Sequence, residues 1–144
     1  MIPSRHIAEN PARILIVDDE RDNREFLEIV LAREGFLITT AASGEEALAA
    51  VAQQAPDLIL LDLMMPGMNG YEVAAKIKGD LATKDIRIVI VSALDDRNSR
   101  TLAQNAGADD FFTKPMGRAE VCERVKALLA SVPASGPRAV PSEP

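Results

Sequence analysis

The chain has 144 residues, of which 47% are hydrophobic and 26% charged, a balance that predicts one globular domain with a substantial core and excludes disorder over the whole length. A net charge of −6, no Trp and one Tyr argue against direct nucleic-acid binding, which needs basic surface and stacking aromatics. Cys122 is the single cysteine and His6 the single histidine, so neither an internal disulfide nor a zinc site of the usual ligand types is expected. With no signal-peptide core and no run of ~18 apolar residues, the expected setting is cytoplasmic, away from the membrane.

Along the chain, residues 1–12 read as an N-terminal tail, with Pro3, Asn10 and Pro11 as breakers. Arg13 to Val17 is a continuous apolar run, the pattern of a strand buried on both faces. Arg21 to Glu34 has helical spacing, with Phe26, Leu27, Val30 and Leu31 predicted on one buried face and Gly35 as its cap. Phe36 to Ala41 reads as a second strand. Ser43 with Glu46 gives a capping-box pattern before a helix through Ala47, Leu48 and Val51.

Leu58 to Leu61 is the third strand, followed by a loop of turn formers from Met64 to Gly70 and a helix from Tyr71 to Ile77. Arg87 to Val91 is the fourth strand. A polar helix from Asp96 to Ala106 ends at Gly107; Arg97 and Arg100 read as its solvated face. Asp110 to Thr113 is a short fifth strand. Arg118 to Ala130 is the last helix, with Val121, Val125, Leu128 and Leu129 on one face and Cys122 as an inert helix residue. Residues 131–144, with four prolines, read as a Pro-rich linker or disordered tail. Strands alternating with helices predict a single α/β domain over residues 13–130, with βαβ units, a parallel sheet and right-handed crossovers.

The strands end in residues of chemical interest. Asp18-Asp19 follows the first, Asp62 the third, Ser92-Ala93 the fourth and Lys114-Pro115 the fifth. In an open parallel sheet the ligand site lies beyond the carboxyl ends of the strands. The topology therefore gathers three carboxylates, a hydroxyl and an ammonium at one edge.

In these motifs, spaced 43, 30 and 22 residues apart from Asp19 to Asp62, Ser92 and Lys114, the chain resembles the receiver domain of two-component response regulators. The resemblance implies a doubly wound (βα)5 fold with strand order 2-1-3-4-5. It implies Asp62 as phosphoacceptor, and Mg2+ (or Mn2+) held by Asp19, Asp62 and the main-chain carbonyl of Met64, with Asp18 acting through water. Lys114 and Ser92 would contact phosphoryl oxygens, Ala93 would leave them access, and the Lys114–Pro115 bond would be cis. Phe111 would be the aromatic that switches with Ser92; lacking a hydroxyl, it is expected to act by packing alone.

Met64 and Leu94 fall at the positions that tune phosphoryl lifetime. Both are apolar and cannot orient an attacking water, which predicts slow self-dephosphorylation. The expected partners are a sensor histidine kinase or phosphotransfer protein as donor, a downstream output protein or domain, and a second copy in a phosphorylation-dependent homodimer. The surface of the fourth helix, fifth strand and fifth helix would carry the signal.

His6 lacks the helical setting of a phosphodonor, so the chain is not read as its own kinase. An aspartyl-phosphate phosphatase of the haloacid-dehalogenase kind needs an Asp where Met64 stands, so the chain is not read as an enzyme beyond its own phosphorylation and dephosphorylation. A phosphorylation-independent binding module on the same fold is the remaining alternative.

Overall fold

The computed structural model describes residues 11–93 and 97–130. The expected tails therefore lie outside the described residues except for positions 11 and 12, as does Leu94. The elements alternate in chain order: β1 (Arg13–Val17), α1 (Arg21–Ala32), β2 (Leu37–Ala41), α2 (Gly44–Gln53), β3 (Leu58–Asp62), α3 (Gly70–Lys78), β4 (Arg87–Ser92), α4 (Arg97–Asn105), β5 (Asp110–Thr113) and α5 (Arg118–Ala130). All neighbouring strands pair in parallel, in the order β2-β1-β3-β4-β5.

The period-two alternation of strand side chains divides the core into two layers. Ile14, Ile16, Leu58, Leu60, Val89, Val91 and Phe112 pack on Leu27, Val30 and Leu31 of α1 and Val121 and Val125 of α5. Leu15, Val17, Ile59, Leu61, Ile88, Ile90 and Phe111 pack on Val51 of α2, Val73 and Ile77 of α3 and Ala103 of α4. β3 and β4 are buried throughout, which accounts for their unbroken apolar runs. β2, at the edge, exposes most of its residues.

Several sequence expectations shift in detail. α1 ends at Ala32 rather than Glu34, Gly35 turns the chain beyond it at φ 94°, and β2 starts at Leu37. Phe26 does not join the buried face of α1 but stays 45% exposed. On α5, Cys122 is buried with Val121 and Val125, while Leu128 and Leu129 are partly covered. At Ser43 only half of the expected capping box forms: its hydroxyl accepts from the Glu46 N–H, but the Glu46 carboxylate accepts from the Ala42 N–H. The complete box lies at α3, where Asn69 and Glu72 exchange side-chain and backbone bonds of 2.9 and 3.0 Å. The Tyr71 hydroxyl donates to the Ser99 carbonyl at 3.0 Å and ties α3 to α4.

Candidate functional site

The sheet ladder extends past the strand ends and fixes the main chain that carries the site. The Asp18 N–H donates to the Ala41 carbonyl (3.1 Å), the Leu63 N–H to Val91 (3.1 Å) and the Lys114 N–H to Ser92 (2.8 Å). The Lys114–Pro115 peptide bond is cis. Asp62 continues the alternation of Leu58 and Leu60 toward the α1/α5 layer. Ser92 follows Ile88 and Ile90 toward the α2/α3/α4 layer, level with Thr113 in the register and on the same face as Phe111.

Three carboxylates meet at this edge: oxygens of Asp18, Asp19 and Asp62 lie within 4.8 Å of one another. Asp18 and Asp62 are buried and Asp19 is exposed. The Lys114 ammonium donates to Asp62 Oδ1 at 3.1 Å and reaches Asp18 Oδ2 at 3.4 Å. The other Asp18 oxygen accepts from the Glu20 N–H at 2.9 Å, and the Asp18 carbonyl accepts from Arg24 at 2.8 Å. Asp18 is thus engaged on both carboxylate oxygens, while Asp19 is the accessible member of the trio.

Burial raises the Asp62 carboxyl to about 6, reinforced by Asp18; Lys114 opposes the shift but does not cancel it. For Lys114, burial works against the ammonium, yet Asp62 and Asp18 together outweigh it and lift the group above its ordinary value. The lysine therefore remains a cation, and the cluster remains short of positive charge. A set of hard carboxylate oxygens that one ammonium leaves under-neutralised fits a small divalent cation such as Mg2+, which takes oxygen ligands and keeps several waters.

Gly70 is a site residue that reasoning from turn chemistry passes over. A Cβ there would stand 2.6 Å from the Asp62 carbonyl oxygen and 3.0 Å from Leu63 Cα, and the Gly70 N–H donates to the Leu63 carbonyl. Only a residue without a side chain lets α3 start against the main chain of Asp62. Arg24, six residues after Asp18, is also legible in sequence only as a helix surface residue.

Met64, two residues after Asp62, is 63% exposed, whereas Met65 is buried. Ser92 is fully buried and Ala93 exposed. Phe111 is 6% exposed, and the Arg100 guanidinium carbon lies 4.7 Å from its ring centroid. Arg100 is exposed, as a solvated helix face would be, and it also stacks on the Phe111 ring. Cys122 is buried on α5, and burial pushes its thiol up, away from reactivity. A cavity of about 190 Å3 beside Asp18 and Lys114 is lined by Asn23, Phe26, Leu27 and Pro115 among others. Among the described residues no helix is long and apolar enough to cross a membrane.

The family model described as response regulator receiver domain matches residues 14–126. The chain is 45% identical over 117 residues to the response regulator PleD of Caulobacter vibrioides, covering 81% of this chain and 26% of that protein. It is 40% identical over 116 residues to the phosphate regulon transcriptional regulatory protein PhoB of Pseudomonas aeruginosa, covering 81% of this chain and 51% of PhoB. It thus spans from about a quarter to half of the length of these curated relatives. Among solved structures, a response regulator of Chloroflexus aurantiacus superposes with a TM-score of 0.81 at 36% identity, covering 85% of this chain and all of that one. The response regulator protein TrrA of Thermotoga maritima, in complex with Mg2+ and beryllofluoride, gives a TM-score of 0.73 at 40% identity, covering 81% of this chain and 98% of that one.

Proposed function

The chain belongs to the response regulator receiver domain family of two-component signalling, and on that premise we propose that it accepts a phosphoryl group on Asp62 from the phosphohistidine of a sensor kinase or phosphotransfer protein. One observation carries this reading: a buried carboxylate, Asp62, shares the Lys114 ammonium with Asp18 at the carboxyl edge of the sheet.

A carboxylate oxygen of Asp62 attacks phosphorus, the P–N bond to the donor imidazole breaks, and an acyl phosphate forms. With its carboxyl at about 6, Asp62 is mostly ionised at neutral pH and able to attack. Lys114 exchanges its carboxylate contact for a phosphoryl oxygen, and the Ser92 hydroxyl donates to another. Asp19, Asp62 and the Met64 carbonyl would hold Mg2+, with Asp18 bonded through water; the bound ion supplies neutralisation of the charge between carboxylate and incoming phosphoryl group. Asp19, accessible and outside the lysine bridge, suits direct ligation; Asp18, already bonded on both oxygens, suits the outer role.

Apolar Met64, exposed two residues after Asp62, offers no hydrogen bond to an attacking water. This favours a long-lived phosphoryl group. The surface of α4, β5 and α5 passes the change to an output protein or domain, or to a second copy of the chain.

The test is intact mass after incubation with acetyl phosphate and Mg2+. Wild type is expected to gain one phosphoryl group, and neither Asp62→Ala nor wild type without Mg2+ is expected to. An equal gain in Asp62→Ala would remove Asp62 as the acceptor.

A further inference from the structure

β5 carries adjacent phenylalanines that face opposite layers, and each is stacked by an arginine from the helix that covers it. Arg124 of α5 lies over Phe112 at 4.3 Å, and its Nη2 donates to both oxygens of Asp110 at 2.8 and 2.9 Å. Phe112 is fully buried, so this pair is charge-neutralised and fixed. Arg100 of α4 lies over Phe111 at 4.7 Å, and its Nη2 donates to the Thr113 hydroxyl at 3.2 Å. That hydroxyl is neutral and half-exposed. One guanidinium therefore touches positions 111 and 113 of β5, on the face they share with Ser92. In the register Phe111 lies level with Ile90 and Thr113 level with Ser92.

We infer that Arg100 is a positioning residue for phosphoryl acceptance, a clasp that holds Phe111 in the core and Thr113 beside Ser92. The inference rests on the phosphoryl-acceptor reading above. Because Thr113 lies level with Ser92 in the register and Phe111 with Ile90, a guanidinium that fixes both side chains fixes the wall beside Ser92 on the face they share. A state held in advance binds its ligand more tightly by the fraction to which it is populated. A half-exposed cation–π contact together with a hydrogen bond to a neutral hydroxyl is worth a factor of about 3 to 5 in such an equilibrium.

The measurement is the affinity for beryllofluoride, a phosphoryl mimic, in the presence of Mg2+, by calorimetry. The chains compared are wild type, Arg100→Ala, Arg100→Lys, Phe111→Leu and the Arg100→Ala, Phe111→Leu double variant. Arg100→Ala is expected to weaken binding by about 2-fold in the wild-type background, because the clasped state is already well populated, and by no measurable amount when position 111 is leucine. Arg100→Lys should recover part of the loss, because it keeps the charge but not the planar stack. The Phe111 ring resonances of isotope-labelled Arg100→Ala should shift toward those of a solvent-exposed ring, a change that loss of stability elsewhere would not produce. An equal loss in both backgrounds, or unchanged ring resonances, would overturn the clasp. So would a loss that varies with protein concentration, which would place Arg100 at a contact between two copies. Binding by wild type without these effects would sink the clasp alone; no binding by folded wild type would sink the acceptor reading and the clasp with it.

Discussion

The carboxyl edge of the sheet crowds Asp18, Asp19 and Asp62 around Lys114, whereas the amino edge spreads its aspartates out. There Asp57 accepts from the Arg13 N–H at 2.8 Å, and Asp109 accepts from the Ile88 N–H at 2.7 Å while pairing with Lys78 at 3.0 Å. Lys78 in turn donates to the carbonyls of Lys84 and Ile86. The same residue type thus closes strand ends at one edge and accumulates uncompensated charge at the other. A carboxylate stabilises a fold when a donor is built for it; at the carboxyl edge Asp18 and Asp62 share one ammonium, and the fold carries the cost of the shortfall.

The contrast can be broken most forcefully at Asp109. Asp109→Ala removes the acceptor of a β4 N–H and the partner of a part-buried lysine. It should destabilise the chain by about 3 kcal/mol in urea titrations, with little effect on phosphoryl uptake. Asp62→Asn should do the reverse, abolishing uptake and stabilising the metal-free chain at pH 7 by about 2 kcal/mol. The sign follows from the Asp62 carboxyl being raised from 3.8 to about 6. Between those values the native state holds a proton that the unfolded chain has released, so native stability falls as pH rises through that window. In the metal-free protein the wild-type stability curve should therefore drop relative to that of Asp62→Asn from about pH 4 to 6 and run parallel above it; parallel curves throughout would show that the carboxylates are not in conflict.

Mg2+ at ten times its dissociation constant should raise wild-type stability by about 1.4 kcal/mol. That gain should shrink when Asp19 becomes Asn, and a gain unchanged in Asp19→Asn would remove Asp19 from the ligand set. The smallest effect is expected at Asp57, an exposed residue. Asp57→Ala should cost about 1 kcal/mol, read as a shift of the urea midpoint at constant slope.

The layers were legible because β3 and β4 have no polar residue between their ends, and because the alternation of Phe111 and Phe112 leaves one register compatible with two packed faces. The strand-end acids, Ser92 and Lys114 were legible because a parallel sheet brings its carboxyl ends together whatever the loops do. Other features depend on where a long or small side chain meets a distant backbone, which no periodicity records. Arg100 finds Phe111 across a turn, and Arg24 reaches back to the Asp18 carbonyl. Gly70 reads as a turn former until its closeness to the Asp62 carbonyl is seen. Phe26 has the helical phase of a core residue, yet it faces the open cavity beside Lys114. The Asn69–Glu72 box was present in the pattern Asn-x-x-Glu but lay within a loop read only for its Pro and Gly.

The hydrogen bond from Tyr71 to the Ser99 carbonyl has an optical consequence. The chain has no Trp and one Tyr, so its near-ultraviolet absorbance and emission come chiefly from a single phenol that bridges α3 and α4. Any rearrangement of α4 that loosens this bridge changes the hydrogen bonding of that phenol and with it the spectrum. The unlabelled protein thus carries its main native chromophore at the seam between the helix that begins behind Asp62 and the helix that carries Arg100.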